Sequence, residues 1–208
     1  MGFLDFLFPK RCVSCKTMGS YLCANCFSYI SFSEQNTKEG YFSAIAYKGV
    51  AKKLIYSFKY KPYLTDLREV LGDLFYESLI QQEGFMSALQ TKPIFVPIPL
   101  HSSRLKSRGY NHAAILASEL AKRFNLRSID LINRIKKTVS QYGLNKDERK
   151  ENISGAFAVI PNISKISQYP NILLVDDIVT TGVTLNEAAK VLKKAGVQKV
   201  WGVSLAKG

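Results

Sequence analysis

The sequence has 208 residues, of which 47% are hydrophobic and 22% are charged. This composition is typical of a folded protein and excludes a disordered chain or a chain built of membrane spans. The length allows one ample domain with a small additional module. Lysine and arginine total 29 against 16 acidic residues, and the net charge of +13 favours nucleic acid, anionic lipid or phosphorylated small molecules as partners. A basic surface that only keeps the protein soluble is the alternative.

The amino-terminal residues 1–8 are mostly apolar, but no basic stretch precedes them and no small-residue cleavage site follows. They therefore predict an amphipathic cap rather than a secretory signal. The longest apolar stretches, such as residues 172–175, have the length of a strand. We predict no transmembrane segment and expect the protein to lie in the cytoplasm.

All the cysteines of the sequence lie close together, as Cys12, Cys15, Cys23 and Cys26. Two Cys-x2-Cys pairs predict a tetrahedral structural site for zinc (Zn2+), although the gap between the pairs is shorter than in the commonest zinc spacing. Disulfides are the alternative, but the reducing cytosol favours thiolates and zinc. We predict a zinc-binding module over residues 1–40 and a larger domain over residues 41–208.

The first part of the larger domain combines basic and aromatic residues. Residues 41–47 predict a strand, residues 50–58 a basic helix, and residues 67–80 a second helix. Lysines that alternate with aromatic rings are typical of surfaces that hold single-stranded nucleic acid, although helical spacing turns several of these rings into the core. The predicted DNA-binding residues are Lys52, Lys53, Lys59 and Lys61.

The remaining elements alternate between strands and helices. Residues 93–100 predict a buried strand, residues 113–124 an amphipathic helix, and residues 129–135 a further strand. Residues 136–154 are charged without periodicity, and we interpret them as a loop that is either a lid over a bound anion or a basic loop with no binding role. Three more strands are predicted over residues 156–160, 171–175 and 199–205. This alternation predicts an α/β fold with a parallel sheet covered on both faces.

The segment NILLVDDIVTTGVTL, residues 171–185, joins an apolar strand to a helix through a loop of small and hydroxylated residues. Thr184 and Glu187 have the spacing of a capping box, and Gly196 has the place of a C′ glycine. The loop therefore lies at the amino end of a helix, where free amides and the helix dipole bind an anion. Gly182 allows the backbone to approach that anion closely, and the threonine hydroxyls can hydrogen-bond its oxygens.

Two acidic residues, Asp176 and Asp177, directly follow the apolar strand. Two acids at a strand end can accept hydrogen bonds from the two hydroxyls of a ribose, as a single acid does in dinucleotide-binding folds. The pair could equally bind magnesium.

The whole segment resembles the 5-phosphoribosyl 1-pyrophosphate (PRPP) motif of type I phosphoribosyltransferases. The resemblance implies a type I core, a parallel sheet flanked by helices, that binds PRPP with magnesium (Mg2+). It also implies that Asp176 and Asp177 hold the ribose hydroxyls. The residues that would wrap the 5′-phosphate are Val179, Thr180, Thr181, Gly182, Val183 and Thr184.

A second loop, after the strand of residues 93–100, stands where this class handles pyrophosphate. Leu100 and His101 would contact the pyrophosphate, and Arg104 would offset its charge together with magnesium. The implied catalytic residues are thus Asp176, Asp177 and Arg104. No covalent nucleophile is required, because positioning and electrostatics supply most of the rate when a ribosyl cation develops.

Taken together, these features resemble the ComF family of competence proteins. The likeness covers nearly the whole chain, and His112 departs from it at a position where glutamine is expected. The residues that carry it are the four-cysteine module, Tyr47-x-Gly49, Phe58-Lys59-Tyr60, Val-Pro-Ile-Pro-Leu, Arg108-Gly109-Tyr110-Asn111 and the PRPP motif.

This resemblance implies a role in natural transformation, in which the protein handles single-stranded DNA at the inner face of the inner membrane. Other DNA-uptake and recombination proteins would then be its partners. Three functions remain open: an active phosphoribosyltransferase with an unknown acceptor, a non-catalytic PRPP sensor, and a scaffold for single-stranded DNA.

Overall fold

A computed structural model describes residues 9–33, 40–60, 66–139, 145–161 and 166–208. The predicted alternation of strands and helices is confirmed. The strands are β1 (Tyr41–Ala46), β2 (Ile94–Pro97), β3 (Ile132–Arg134), β4 (Phe157–Val159), β5 (Asn171–Val179) and β6 (Lys199–Lys207). The helices are α1 (Ala24–Phe27), α2 (Gly49–Lys59), α3 (Leu67–Ile80), α4 (Glu83–Gln90), α5 (Ser102–Arg108), α6 (His112–Phe124), α7 (Lys146–Ile153) and α8 (Val183–Lys194), with a 3-10 turn at Ile166–Gln168.

The central sheet has four parallel strands in the order β1-β6-β5-β2. Because all four run in the same direction, their carboxyl ends meet at one edge, where ligands of open α/β sheets bind. Strands β3 and β4 form a separate antiparallel pair. His101, which follows β2, bridges to Arg134 of β3, so the small sheet adjoins that edge.

Apolar side chains cover both faces of β5, which explains its continuous apolar run. Leu173 and Val175 belong to a core shared with α2, α3, α4 and α6. Ile172 and Leu174 belong to a second core, which α8 covers with Leu185, Ala188 and Leu192. A strand buried on both faces cannot alternate apolar with polar residues, so β5 has the sequence expected of a central parallel strand.

The four-cysteine segment packs on the main core. Cys12, Cys26 and Ile30 are buried in the same core as α2. The Ser33 amide donates to the Ala44 carbonyl and the Ala46 amide to the Ser31 carbonyl, both at 2.8 Å. These bonds pair the segment with β1, and pairing covers an edge strand that would otherwise expose unpaired backbone groups.

Several predicted boundaries agree with the structure. Helix α3 has the predicted bounds of residues 67–80, and α6 begins at His112, one residue before its predicted start. Strands β5 and β6 continue beyond their predicted ends, to Val179 and Lys207. Gly196 follows the C-cap Ala195 with a φ of +97°, as predicted for a C′ glycine.

Other predictions are wrong. Part of residues 136–154 is the helix α7, whose capping box joins Asn145 and Glu148. All its residues except the last, the buried Ile153, are polar, so no periodicity reveals it. Thr184 does not cap α8: the N-cap is Gly182, and Glu187 accepts a hydrogen bond from the Gly155 amide at 2.9 Å. Helices α4 and α5 were not predicted.

Within the described ranges, the structure contains no helix with the length and apolar character that a bilayer span requires.

Candidate functional site

A cavity of about 520 Å3 lies at the carboxyl ends of β2 and β5. Groups of both charges line it, so it is built for a polar ligand rather than an apolar one. Tyr47, Tyr60, Thr180 and Thr184 also border it. Its charged lining residues are Lys59, Arg104, Arg108, Arg134, Arg149, Asp176 and Asp177.

The loop between β5 and α8 forms a small adjoining recess of about 20 Å3. Gly182 has a φ of +72°, a left-handed conformation that favours glycine, and a Cβ there would lie 3.1 Å from Cε1 of Tyr41. Helix α8 begins at the next residue, so the amides of its first turn and its dipole face the recess. Among the described residues, no partner meets the buried hydroxyl of Thr181. The recess therefore has the donors and the size class of a site for a small anion.

Asp176 and Asp177 lie side by side at the end of β5. The Asp177 amide donates to Oδ1 of Asp176 at 2.9 Å. Nζ of Lys59 lies 2.8 Å from Oδ2 of Asp177. Burial, followed by the charge of Asp177, raises the pKa of Asp176 to about 7. Two adjacent acids resist double ionisation, and the lysine offsets part of that repulsion.

Lys59 lies at the end of α2 and extends into the cavity. Burial alone would lower the pKa of its ammonium group, but the attraction of Asp177 outweighs burial and raises that pKa above its ordinary value. The ammonium group of Lys59 is therefore charged at neutral pH. The prediction that Lys59 belongs to an exposed basic surface is wrong, because only 15% of its side chain is exposed.

His112 is buried beside the ion pair, with Nδ1 at 3.7 Å from Oδ2 of Asp177. Burial lowers the pKa of the imidazole to about 4, so the ring is neutral at pH 7. It packs edge-on against Tyr110 and lies 5.7 Å from the Phe58 ring. In the part of the chain that the structure describes, its Nε2 has no hydrogen-bond partner.

The arginines of the cavity come from three separate segments. Arg149 of α7 donates to Oγ1 of Thr180 at 2.8 Å, which joins α7 to the loop before α8. Arg104 of α5 donates to the carbonyl of Thr138 at 3.0 Å, and Arg134 of β3 donates to the hydroxyl of the same residue. Burial and the charge of Arg104 lower the pKa of Arg134. These guanidinium groups leave an excess of positive charge that an anionic ligand would neutralise.

Most of the predicted ligand-binding residues meet at this edge of the sheet. Leu100, Arg104, Asp176, Asp177, Thr180 and Thr184 line the main cavity. Val179, Thr181, Gly182 and Val183 line the recess. His101 lines neither: its imidazole caps α5 by accepting from the Ser103 amide at 3.3 Å.

The predicted DNA-binding lysines are not together. Lys52 and Lys53 are exposed on α2, and Nζ of Lys53 lies 3.3 Å from the Ser14 hydroxyl. Lys59 is in the cavity, and Lys61 lies outside the described residues.

The four thiols form one cluster in which all sulfur atoms lie within 4.8 Å of one another. Cys15 and Cys23 approach to 3.5 Å, and none of the four is in a disulfide. A tetrahedral ion with bonds of about 2.3 Å spaces its sulfur ligands about 3.8 Å apart. The cluster therefore fits a single metal ion held by four thiolates.

Comparison with known proteins agrees with this architecture. The phosphoribosyl transferase domain family matches residues 105–207. The chain is 36% identical to competence protein F of Haemophilus influenzae over 57% of its length and 52% of that protein. It is 29% identical to competence protein ComFC of Streptococcus pneumoniae over 68% of its length and 56% of that protein. The chain belongs to the ComF family.

This ComF chain is also 32% identical to the DNA utilization protein YhgH of Salmonella typhimurium, over 59% of its length and 54% of that protein. The chain spans about half the length of the curated relatives it matches. Its fold is that of type I phosphoribosyltransferases, preceded by the cluster of cysteines.

Among solved structures, a xanthine-guanine-hypoxanthine phosphoribosyltransferase of Helicobacter pylori aligns with 65% of the ComF chain and 75% of its own chain. The TM-score is 0.40 and the identity is 20%. A similarity of this degree carries no information about the ligand of the ComF chain.

Two residues of the ComF site were not predicted for it, Lys59 and His112. Lys59 follows an amphipathic helix and looks like any lysine of a basic surface. His112 differs from the glutamine expected in the family, but nothing near it in sequence indicates Asp177 as its neighbour. Their proximity to the acids depends on packing between α2, α6 and β5.

Proposed function

We propose that this chain binds PRPP with Mg2+ in the cavity at the ends of β2 and β5. One observation carries the proposal: an acidic pair, an anion recess and a group of arginines border the same space. Each of the three matches one part of the ligand. The acids match the ribose hydroxyls, the recess matches the 5′-phosphate, and the arginines match the pyrophosphate.

The recess supports the proposal through the Thr181 hydroxyl, which is buried without a described partner. Buried polar groups nearly always have a hydrogen-bond partner, so a ligand oxygen is the expected partner here. Gly182 supports it in a second way, because its left-handed backbone turns the start of α8 toward the same space.

The arginines would provide the charge that binds pyrophosphate. Arg104 and Arg134 both hydrogen-bond Thr138, which fixes them on one side of the cavity. Arg149 donates to Thr180, which links the arginines to the loop that forms the recess. Mg2+ on the pyrophosphate oxygens would neutralise part of their charge and stabilise pyrophosphate as a leaving group.

A second candidate is an active phosphoribosyltransferase with an unknown acceptor. In that reaction an acceptor atom bonds to C1 of the ribose, the bond from C1 to the pyrophosphate oxygen breaks, and pyrophosphate leaves with the electron pair. His112 lines the cavity beside Asp177 and favours this candidate, because its neutral imidazole can hydrogen-bond an acceptor there, whose proton passes to water. Pyrophosphate release measured with nucleobases and amines separates it from a non-catalytic PRPP sensor.

Calorimetry of the purified chain with PRPP and Mg2+ tests the proposal. We expect saturable binding by the wild type, and an affinity at least about a hundredfold lower for Thr181→Glu, because its carboxylate would face the phosphate. Ser87→Glu adds the same charge at an exposed position of α4, and this variant should bind PRPP as the wild type does. Absence of heat and of a thermal shift for the wild type would reject the proposal.

We further propose that the chain supports DNA uptake in the cytoplasm by binding single-stranded DNA on α2. The relatives named for competence and for DNA utilization support this role. Lys52 and Lys53 are exposed, and Tyr56 and Tyr60 are 55% and 42% exposed. The Arg108 guanidinium lies 5.2 Å from the Tyr60 ring, so basic and aromatic groups alternate there. Other DNA-uptake or recombination proteins would then act with it.

Oligonucleotide binding at increasing salt tests the DNA proposal. We expect the logarithm of the affinity to fall with a slope of about −0.7 for each phosphate contact. Substituting Lys52 and Lys53 by alanine should reduce that slope. The same change at Lys193 and Lys194, which are exposed on α8, should not reduce it. An affinity that does not change with salt would contradict the proposal.

We also propose Zn2+ as the ion of the cysteine cluster, because four thiolates within 4.8 Å suit its tetrahedral coordination. The site would be structural, since all four ligands come from the protein. Metal analysis of the purified protein should find one zinc per chain, and its absence from protein prepared without chelators would reject this assignment.

A further inference from the structure

The end of α2 is in contact with the acidic pair of β5 across the floor of the cavity. Nζ of Lys59 lies 2.8 Å from Oδ2 of Asp177, and the two side chains are only 15% and 10% exposed. An ion pair this buried is held in one geometry, unlike a surface pair, because separating the two groups would leave an uncompensated charge in the interior.

Packing fixes the direction in which Lys59 extends. The preceding residue, Phe58, is fully buried, and its ring lies 6.1 Å from Tyr110 and 5.7 Å from His112. The Tyr110 hydroxyl donates to the Phe58 carbonyl. With Phe58 held on one side of the helix end, the next side chain is turned toward the cavity.

The internal contacts of the two acids use one oxygen of each carboxylate. Oδ1 of Asp176 accepts from the Asp177 amide, and Oδ2 of Asp177 contacts Lys59. Among the described residues, no hydrogen bond or ion pair occupies the other oxygen of either acid, so it is available to a ligand. Two acceptors on neighbouring residues at the end of one strand match the two hydroxyls of a vicinal diol.

Without the lysine this arrangement would change. Among the described residues, the charged or titratable groups around the acids include Lys59, His112, Arg134 and Tyr47, and His112 is neutral at pH 7. Removing the ammonium group would leave two adjacent carboxylates with less compensation, and such a pair takes up a proton or moves apart. Either result removes one of the two acceptors.

We propose that Lys59 is a positioning residue of the phosphoribosyl site, which fixes Asp177 so that both acids together recognise the ribose diol. This inference rests on the proposed function and deepens it. The site then distinguishes ribose from 2-deoxyribose, and Lys59, contributed by a helix remote from the PRPP motif, determines that preference. Lys59 thus affects recognition of the sugar, while binding of the phosphate depends on the recess.

The experiment is calorimetric titration with two ligands, ribose 5-phosphate and 2-deoxyribose 5-phosphate. We expect the wild type to prefer the ribose compound by about tenfold, the usual effect of one hydrogen bond to a charged group. Lys59→Met should lose that preference, with similar affinities for the two ligands. Lys193→Met removes the same charge from an exposed position of α8, and this variant should keep the preference for ribose.

Two further variants keep the test decisive if Lys59→Met fails to fold. Lys59→Arg keeps a charged donor and should retain the preference for ribose, whereas Lys59→Gln keeps a polar side chain without charge and should lose it. A role of Lys59 in packing alone would give equal losses of affinity for both ligands, and that result would overturn the inference.

The outcomes also separate this inference from the proposed function. If the wild type binds both ligands and Lys59→Met or Lys59→Gln keeps the wild-type preference, the inference is rejected and the proposed function stands. If the wild type binds neither these ligands nor PRPP, the proposed function is rejected and the inference with it.

Discussion

The two sides of the cavity are built in different ways. One side, the loop wall, is the continuous segment of residues 176–184, which runs from the end of β5 to the start of α8. The other, the assembled wall, brings together Lys59, Arg104, Arg134 and Arg149 from four separate elements. Bonds within a short segment fix the loop wall, whereas packing across the molecule fixes the assembled wall. The assembled wall should therefore be the more sensitive to changes elsewhere in the fold.

Removal of the metal should have the largest effect. Cys12 and Cys26 are buried in the same core as α2, and Lys53 of α2 contacts Ser14 of the cysteine segment. We expect chelation to lower the free energy of unfolding by about 3 kcal/mol or more, since a structural zinc site contributes directly to folding. Thermal unfolding with and without the chelator measures this.

Ligand binding before and after chelation compares the two walls. Loss of metal should reduce the preference for ribose, which depends on α2, more than it reduces the binding of inorganic phosphate to the recess. Restoring zinc should reverse both changes. If chelated protein kept its unfolding temperature, the coupling between the cysteine segment and the assembled wall would be disproved.

A smaller effect is expected from Arg149→Ala, which removes the contact between the assembled wall and Thr180 of the loop wall. The affinity for ribose 5-phosphate should fall about tenfold, or about 1.4 kcal/mol, because a guanidinium donor near the phosphate is lost. Lys150→Ala removes the neighbouring charge from an exposed position of α7 and serves as the control. Calorimetry measures the affinity of each variant. Equal losses of affinity in the two variants would show that only the overall positive charge matters.

The smallest effect concerns Asp176 in the loop wall, whose pKa burial raises from 3.8 to about 7. The folded state then holds this proton more tightly than the unfolded state, so stability falls as the pH rises from 3.8 to about 7. Asp176→Asn should remove that slope and raise the free energy of unfolding at pH 8 by about 1 kcal/mol.

Urea unfolding between pH 5 and pH 8 measures how the free energy of unfolding depends on pH. Asp147→Asn, at an exposed position of α7, is the control. A slope that is the same in the wild type and in Asp176→Asn would show that Asp176 is not the group responsible.

The fold and the loop wall could be predicted because their signals are local. The apolar run of β5, the two acids and the threonine-rich turn are contiguous. Four cysteines in one short stretch indicate that they bind one metal ion together. Helix α7 escaped prediction because its capping box is its main signal and Ile153, its last residue, is its one apolar residue. At the start of α8, the pattern of Thr184 and Glu187 gave the wrong cap, since the left-handed Gly182 begins the helix earlier.

Lys59 shows the limit of the sequence most clearly. Its neighbours predict a basic surface, and only the packing of Phe58 on Tyr110 and His112 turns it toward Asp177. By itself, the sequence determined the α/β class, the cysteine cluster and the threonine-rich turn after β5, because adjacent residues carry each of these. Only the tertiary structure decided which cations face the acids, because an ion pair between remote segments depends on distances that no local pattern contains.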